Sequence, residues 1–180
     1  MTNKEFEQLP KNKQRVVIAQ DVLAQIAANF IKPERQVFLA LKRPLHVNLT
    51  GSVKKLAKTK QIVGCESCAN GALLMALILK NNRFTMQDYL SYQGFVCKLD
   101  EKDTKGLKLL LEIFSREQLA LLESAFESGV NCLDITFTGA TKGKLTKFLK
   151  KHGKKGPESL MIEIMKNVIK NDGNFLGVGE

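Results

Sequence analysis

Segment 64–79, GCESCANGALLMALIL, constrains the fold more than any other stretch of this chain. Cys65, Cys68, Ala69, Ala72, Leu73, Ala76 and Leu77 recur at helical spacing, and a helix this apolar has to be enclosed by other elements. Gly71 and the alanines leave room for neighbouring helices to approach closely. The segment is expected to be the central buried helix, with the rest of the chain wrapped around it. At 180 residues, 44% of them hydrophobic and 26% charged, one core is the natural outcome.

Around that centre the chain divides by periodicity. Residues 1–10 read as a polar lead-in ended by Pro10. Segment 11–30 then places Val16, Val17, Ala19, Val22, Leu23, Ile26, Ala27 and Phe30 on one helical stripe. Pro33 closes the connection. Segment 37–50 mixes β-prone residues with Pro44 at a turn, which suits a short hairpin better than a helix. Segment 51–60 is a short basic helix or a loop.

Asn81-Asn82 is a stop signal, Thr85 an N-cap for a short helix ended by Gly94, and 98–106 a charged loop before 107–114. Ser115 and Gln118 have the spacing of a capping box for a helix with Leu119, Leu122, Ala125 and Phe126 inward. CLDITF, within a Gly- and Thr-rich connection over 129–143, is a candidate strand to pair with 37–50. Segment 144–152 reads as a basic helix. Pro157 opens a last helix with Leu160, Ile164, Val168 and Ile169 inward, Asp172-Gly173 ends it, and 174–180 is a short tail.

The fold class expected from this pattern is mainly α with a small β element, a single domain (1–180) of about six helices. No apolar run approaches the roughly 20 residues that span a bilayer, and the N-terminus is not signal-like, so a protein made in a cytosol, away from membranes, is expected. Four cysteines without the density of a disulfide scaffold fit reduced thiols.

Few motifs carry chemistry. Cys65-x-x-Cys68 is half of a zinc site, to be completed by Cys97, Cys132, His46 or His152, or simply two packed thiols; no second Cys-x-x-Cys is present, and no metal or cofactor is expected. Nothing places His46 or His152 beside a thiol as a base, and Asp100, Glu101 and Asp103 read as a solvated turn, so no catalytic residue is assigned and no enzyme is expected. GATKGKLT at 139–146 imitates a phosphate loop but is one residue short in its glycine spacing, with Leu145 where a magnesium-binding hydroxyl belongs. Segment 101–112 imitates a calcium loop, yet Lys105 and Lys108 stand at positions that need an acid and an aliphatic residue.

The strongest functional feature is KGKLTKFLKKHGKK at 142–155, with Lys142, Lys144, Lys147, Lys150, Lys151, Lys154, Lys155 and no acid. A second acid-free stretch, 41–60, contributes Lys54, Lys55 and Lys58. Lys plus Arg total 28 against 18 for Asp plus Glu, a net charge of +10, which favours nucleic acid or an acidic surface as partner. Phosphate contacts by such a patch are sequence-independent and salt-sensitive; a solvated lysine face kept for solubility is the other reading. If the two stretches fold side by side, one groove results.

CESCANGALL, FSREQLALLESAFE and MIEIMKNVIKNDGNF, in that order, resemble blocks of small proteins encoded by bacteriophages and mobile elements, whose mark is a C-x-x-C-A-x-G-A block. With the first helix they cover about half the chain, and none is a catalytic signature. Some proteins of this look act as anti-CRISPR inhibitors of the type II RNA-guided nuclease. The resemblance implies an anti-defence protein acting by stoichiometric binding in a bacterial host cell, with a nuclease complex or DNA/RNA as partner. Many such inhibitors are acidic DNA mimics, and the net charge of +10 departs from that pattern. A nucleic-acid-binding accessory protein and a zinc-stabilised interaction module are the alternatives.

Overall fold

At Cys68 the backbone turns from strand into helix: Gly64–Ser67 is extended and Ala69–Lys80 is α-helical. The first part of the expected central helix is therefore the middle strand of a small sheet, and Cys65 lies on that strand while Cys68 is the helix N-cap. The computed structural model describes residues 2–43, 49–90, 105–129 and 135–178.

In chain order the described elements are helices α1 (Asn3–Glu7) and α2 (Lys11–Ala27), strands β1 (Ile31–Pro33) and β2 (Ala40–Lys42), α3 (Val53–Lys58), strand β3 (Gly64–Ser67), and helices α4 (Ala69–Lys80), α5 (Met86–Leu90), α6 (Lys105–Leu111), α7 (Arg116–Phe126), α8 (Gly139–His152) and α9 (Pro157–Lys170), followed by a 3-10 turn, η1 (Phe175–Gly177). Nine helices among the described residues exceed the six expected, because several are too short for periodicity to reveal. The class is as expected, mainly helical with a small β element.

The sheet has the order β1-β3-β2, with β1 parallel and β2 antiparallel to β3. Pro33 has no N–H to donate and is tolerated because β1 is an edge strand. Glu66, opposite Lys32 and Ala40, is the outward residue of β3, and its carboxylate lies 3.1 Å from both Lys32 and Lys42 Nζ. Those two lysines, Lys42 first, hold the carboxyl below its usual range. The β-prone segment 37–50 thus supplies a strand, but it pairs with β3. Ile135–Phe137 lie outside any strand, and the rest of CLDITF lies outside the described residues.

α4 is the centre of the core. Every residue from Ala69 to Ile78 is buried, and α2, α3, α6 and α7 pack around it. Gly71 faces the backbone of Phe38, whose carbonyl would lie 1.5 Å from an added Cβ, so the glycine admits a loop where a helix was expected. Cys68 carries no side-chain cap hydrogen bond; the carboxylate of buried Glu123 on α7 accepts from Asn70 N–H at 3.2 Å instead. Periodicity sets Glu123 outside the inner stripe of α7, but the whole run Gln118–Phe126 is buried, so a polar residue had to enter. Ser115 does cap α7, accepting from Gln118 N–H at 3.2 Å. The Gln118 side chain turns away to accept from Phe175 N–H at 3.1 Å and to donate to Val178 C=O, so only half of the capping box forms.

Both expected tails are structured. Thr2 and Glu5 form a reciprocal capping box on α1, which buries Phe6 beneath the ammonium of Lys80, 5.6 Å from the ring centroid. At the other end Phe175 is fully buried, so η1 is a plug. The stripe on α2 includes Ile18, Gln14 and Arg15, whereas Ala27 is exposed. Arg15 is satisfied inside by donating to Ile113 C=O at 2.7 Å and Asn174 Oδ1 at 3.0 Å. On α9, Leu160, Met161, Ile164, Met165 and Val168 are buried and Ile169 only partly.

Candidate polyanion interface on the lysine helix

α8 starts five residues before the expected basic helix. Thr138 caps it, its hydroxyl accepting from Thr141 N–H at 3.2 Å, so Gly139–Gly143 are helical and the phosphate-loop imitation at 139–146 is two helical turns. Thr141, Leu145 and Phe148 form the buried face, seated on α7 and η1. Phe148 meets Phe175 edge-on at 5.2 Å between centroids. That anchoring sends the lysines outward. Lys142, Lys144, Lys147, Lys150 and Lys151 of α8, and Lys154 beyond it, are all exposed.

The seven lysines are not equivalent. Lys155 pairs with Glu163 at 2.8 Å, and Lys144 Nζ reaches the Gly177 carbonyl at 3.4 Å. The side chains of Lys142, Lys147, Lys150, Lys151 and Lys154 have no hydrogen-bond or ion-pair partner among the described residues. Some exposed cations elsewhere are paired, Lys13 with Asp172, Lys32 and Lys42 with Glu66, Arg83 with Glu112 and Lys105 with Asp88, while others, such as Lys11, Lys55, Lys58 and Lys170, are exposed with no side-chain hydrogen-bond or ion-pair partner among the described residues. His152, against the Phe148 ring at 4.8 Å and 3.7 Å from Glu163, is held below the ordinary imidazole range by burial, an effect Glu163 opposes and Lys155 and Lys151 reinforce. The positive charge of this face near neutral pH is therefore lysine charge.

Lys54, Lys55 and Lys58 lie on α3, capped by Ser52. Lys54 is turned to donate to the Lys80 carbonyl at 2.6 Å, and burial lowers its pKa; Lys55 and Lys58 are exposed. α3 rests on α4 and α8 on α7 and η1, so the two basic stretches have different supports.

What the lysine pattern misses is the groove beside α8. Lys144, Lys147 and Lys151 form one rim of an open depression of about 380 Å³, whose other side is made by α9 and η1. Phe148 and Leu176 supply its apolar floor, and Asn167 and Asn171 its amides. The spacing of Lys144, Lys147 and Lys151 signals one helical face, but nothing local says that η1 folds back against it.

The cysteines do not form part of any site among the described residues. Cys65 and Cys68 are buried, burial pushes the Cys65 thiol up to about 12, and Cys68 Sγ lies 3.8 Å from the Phe38 carbonyl as a donor. Zinc takes thiolates, and this environment disfavours them. No group of three His, Cys, Asp or Glu able to hold a metal ion occurs among the described residues. Cys97, Cys132, His46, Asp100, Glu101 and Asp103 lie outside them. Iodoacetamide at neutral pH is expected to leave Cys65 and Cys68 unmodified in the native protein and to label both after denaturation, read by peptide mass; native labelling of Cys65 would show an accessible thiolate.

No helix among the described residues is long and apolar enough to cross a membrane. Compared with protein-family models, curated proteins and solved structures, the chain matches none.

Proposed function

We propose that this chain is a stoichiometric binding protein whose lysine helix takes the phosphate backbone of nucleic acid, with no catalytic turnover. The observation that carries the reading is the cluster of five exposed lysines without side-chain partners on α8 and just beyond it, within a stretch that holds no acid. Like charges three and four residues apart on a helix repel by about 0.2–0.5 kcal/mol per pair, and α8 has no acid to relieve them. An external polyanion removes that cost and adds the entropy of released counterions. Lysine, a point charge with no fork geometry, suits backbone attraction better than base reading.

In the setting that the resemblance implies, an anti-defence protein of a bacteriophage or mobile element, the same face would engage guide or target nucleic acid held by an RNA-guided nuclease. Fluorescence-anisotropy titration against short DNA and RNA tests the binding itself. With three to four phosphate contacts, affinity should fall by roughly 20-fold to 100-fold between about 50 and 200 mM salt. Absence of binding at low salt would make α8 a solvated face and remove this reading.

A further inference from the structure

We propose that the groove between α8, α9 and η1 receives one unpaired nucleotide, so that the protein prefers single-stranded nucleic acid to duplex. The inference rests on the nucleic-acid reading of α8 and adds what that reading leaves open, the strandedness of the ligand.

The groove has a composition that charge attraction alone does not need. Its volume of about 380 Å³ lies at the small end of sites that enclose small molecules, roughly 300–1,000 Å³. A row of lysines facing a duplex backbone would be complete as a flat surface. Here the lysines share the lining with Leu176, Phe148 and the His152 ring, which lies 4.8 Å from that of Phe148. The amides are also committed in a particular way. Asn171 Nδ2 donates to the Asn167 carbonyl and to Asn167 Oδ1, both at 2.9 Å, and Asn167 Oδ1 also accepts from Leu176 N–H at 2.7 Å. Both hydrogens of Asn171 are used, as is the oxygen of Asn167. The two amides are left with one donor, Asn167 Nδ2, and one acceptor, Asn171 Oδ1, and the His152 imidazole lines the groove beside them. An outward amide oxygen repels phosphate. A donor beside an acceptor, over an apolar floor, matches the edge and face of a base, which a duplex hides in its pairs and stacks.

Backbone strain points to the same place. Leu176 has φ 57° and ψ 17°, and among the non-glycine residues with positive φ in the described structure it is the one aliphatic residue. L-residues other than Asn and Asp seldom adopt that conformation, and such outliers persist where surrounding contacts impose them. Here the imposing contacts are the Asn167 bond to Leu176 N–H and the Gln118 bond to Phe175 N–H. Their effect is to hold an aliphatic side chain in the lining that Lys147 and Lys151 share, where a base would lie once its phosphates meet the lysines.

Leu176→Gly provides a selective test, because glycine accepts the left-handed turn while removing the floor. Anisotropy at near-physiological salt would compare a labelled single strand, the duplex of the same length and an oligoglutamate peptide, with the wild type and the variant. The wild type should bind the single strand at least about fivefold more tightly than duplex or oligoglutamate, and Leu176→Gly should lower single-strand affinity by about fivefold, the low end of one base contact, with duplex affinity within about twofold. Equal or tighter duplex binding, equal oligoglutamate binding, or a variant that keeps full single-strand affinity would overturn the groove while leaving the lysine helix its role. No binding to any nucleic-acid probe would overturn both. As a check independent of the variant, thymidine monophosphate titrated into the wild type should shift the NMR signals of the Leu176 backbone amide and the Asn167 side-chain amide, and inorganic phosphate should not; equal shifts from both ligands, or none, would also overturn it.

Discussion

Gly71→Ala is expected to destabilise the protein by about 3 kcal/mol, although the same change in an exposed helix stabilises by about 1 kcal/mol. The added methyl would lie 1.5 Å from the Phe38 carbonyl oxygen, 2.6 Å from its carbon and 3.0 Å from Ser67 Cβ. Two of those three atoms are backbone, which cannot rotate aside as a long side chain can. Nor is the backbone free to retreat. Cys68 N–H donates to the Val37 carbonyl, Cys68 Sγ to the Phe38 carbonyl, and Gln36 N–H to Glu127 at 2.9 Å. Moving the loop breaks contacts at the start of the central helix, where β3, α4 and α7 meet. Chemical denaturation of wild type and variant measures the difference, and a variant as stable as the wild type would show that the loop does not press on α4.

The second large effect concerns binding. Replacing Lys147, Lys150, Lys151 and Lys154 by Glu is expected to abolish nucleic-acid binding and to leave the fold in place. None of the four has a partner to lose. Each exchange removes two units of charge, so the net charge falls from +10 to +2. The four cations account for a log–log salt slope of about three, nearly all that three to four phosphate contacts supply, so little attraction is left without them. Carboxylates near the C-terminus of α8 oppose the helix dipole, so a stability loss of about 1–2 kcal/mol is expected, well short of unfolding. Lys55→Glu with Lys58→Glu is the control, because α3 is exposed and basic but rests on α4. If that pair weakens binding as much as the four on α8 and its C-terminal turn, overall charge and not the α8 face is responsible.

How far each feature was legible depended on the range over which it is encoded. α2, α7, α9 and the 144–152 part of α8 follow from periodicity and caps contained within a few turns, such as Ser115 before α7 and Pro157 at the start of α9, whereas the Thr138 cap and the first turn of α8 were missed. The lysines of 142–155 were legible as a basic stretch with a helix over 144–152, and the structure adds that Leu145 and Phe148 form its buried side. Cys65 and Cys68 were misplaced because Gly64–Ser67 is four residues long and buried, and at that length an apolar strand and an apolar helical turn look alike. α1 and η1 were missed because each is held by a distant partner, Phe6 under Lys80 and Phe175 by Gln118.

By itself, then, the sequence determined a mainly helical fold around an apolar centre within 64–79 and a lysine-rich helix facing solvent. Both follow from the residue types within a helical turn of one another. Only the tertiary structure decided that Glu123 caps α4, that Gly71 receives the Phe38 backbone, and that η1 returns against α8 to set Leu176, Asn167 and Asn171 beside Lys147 and Lys151. These are contacts between residues far apart in the chain, chosen by which surfaces pack together once the helices exist, and no local pattern specifies them.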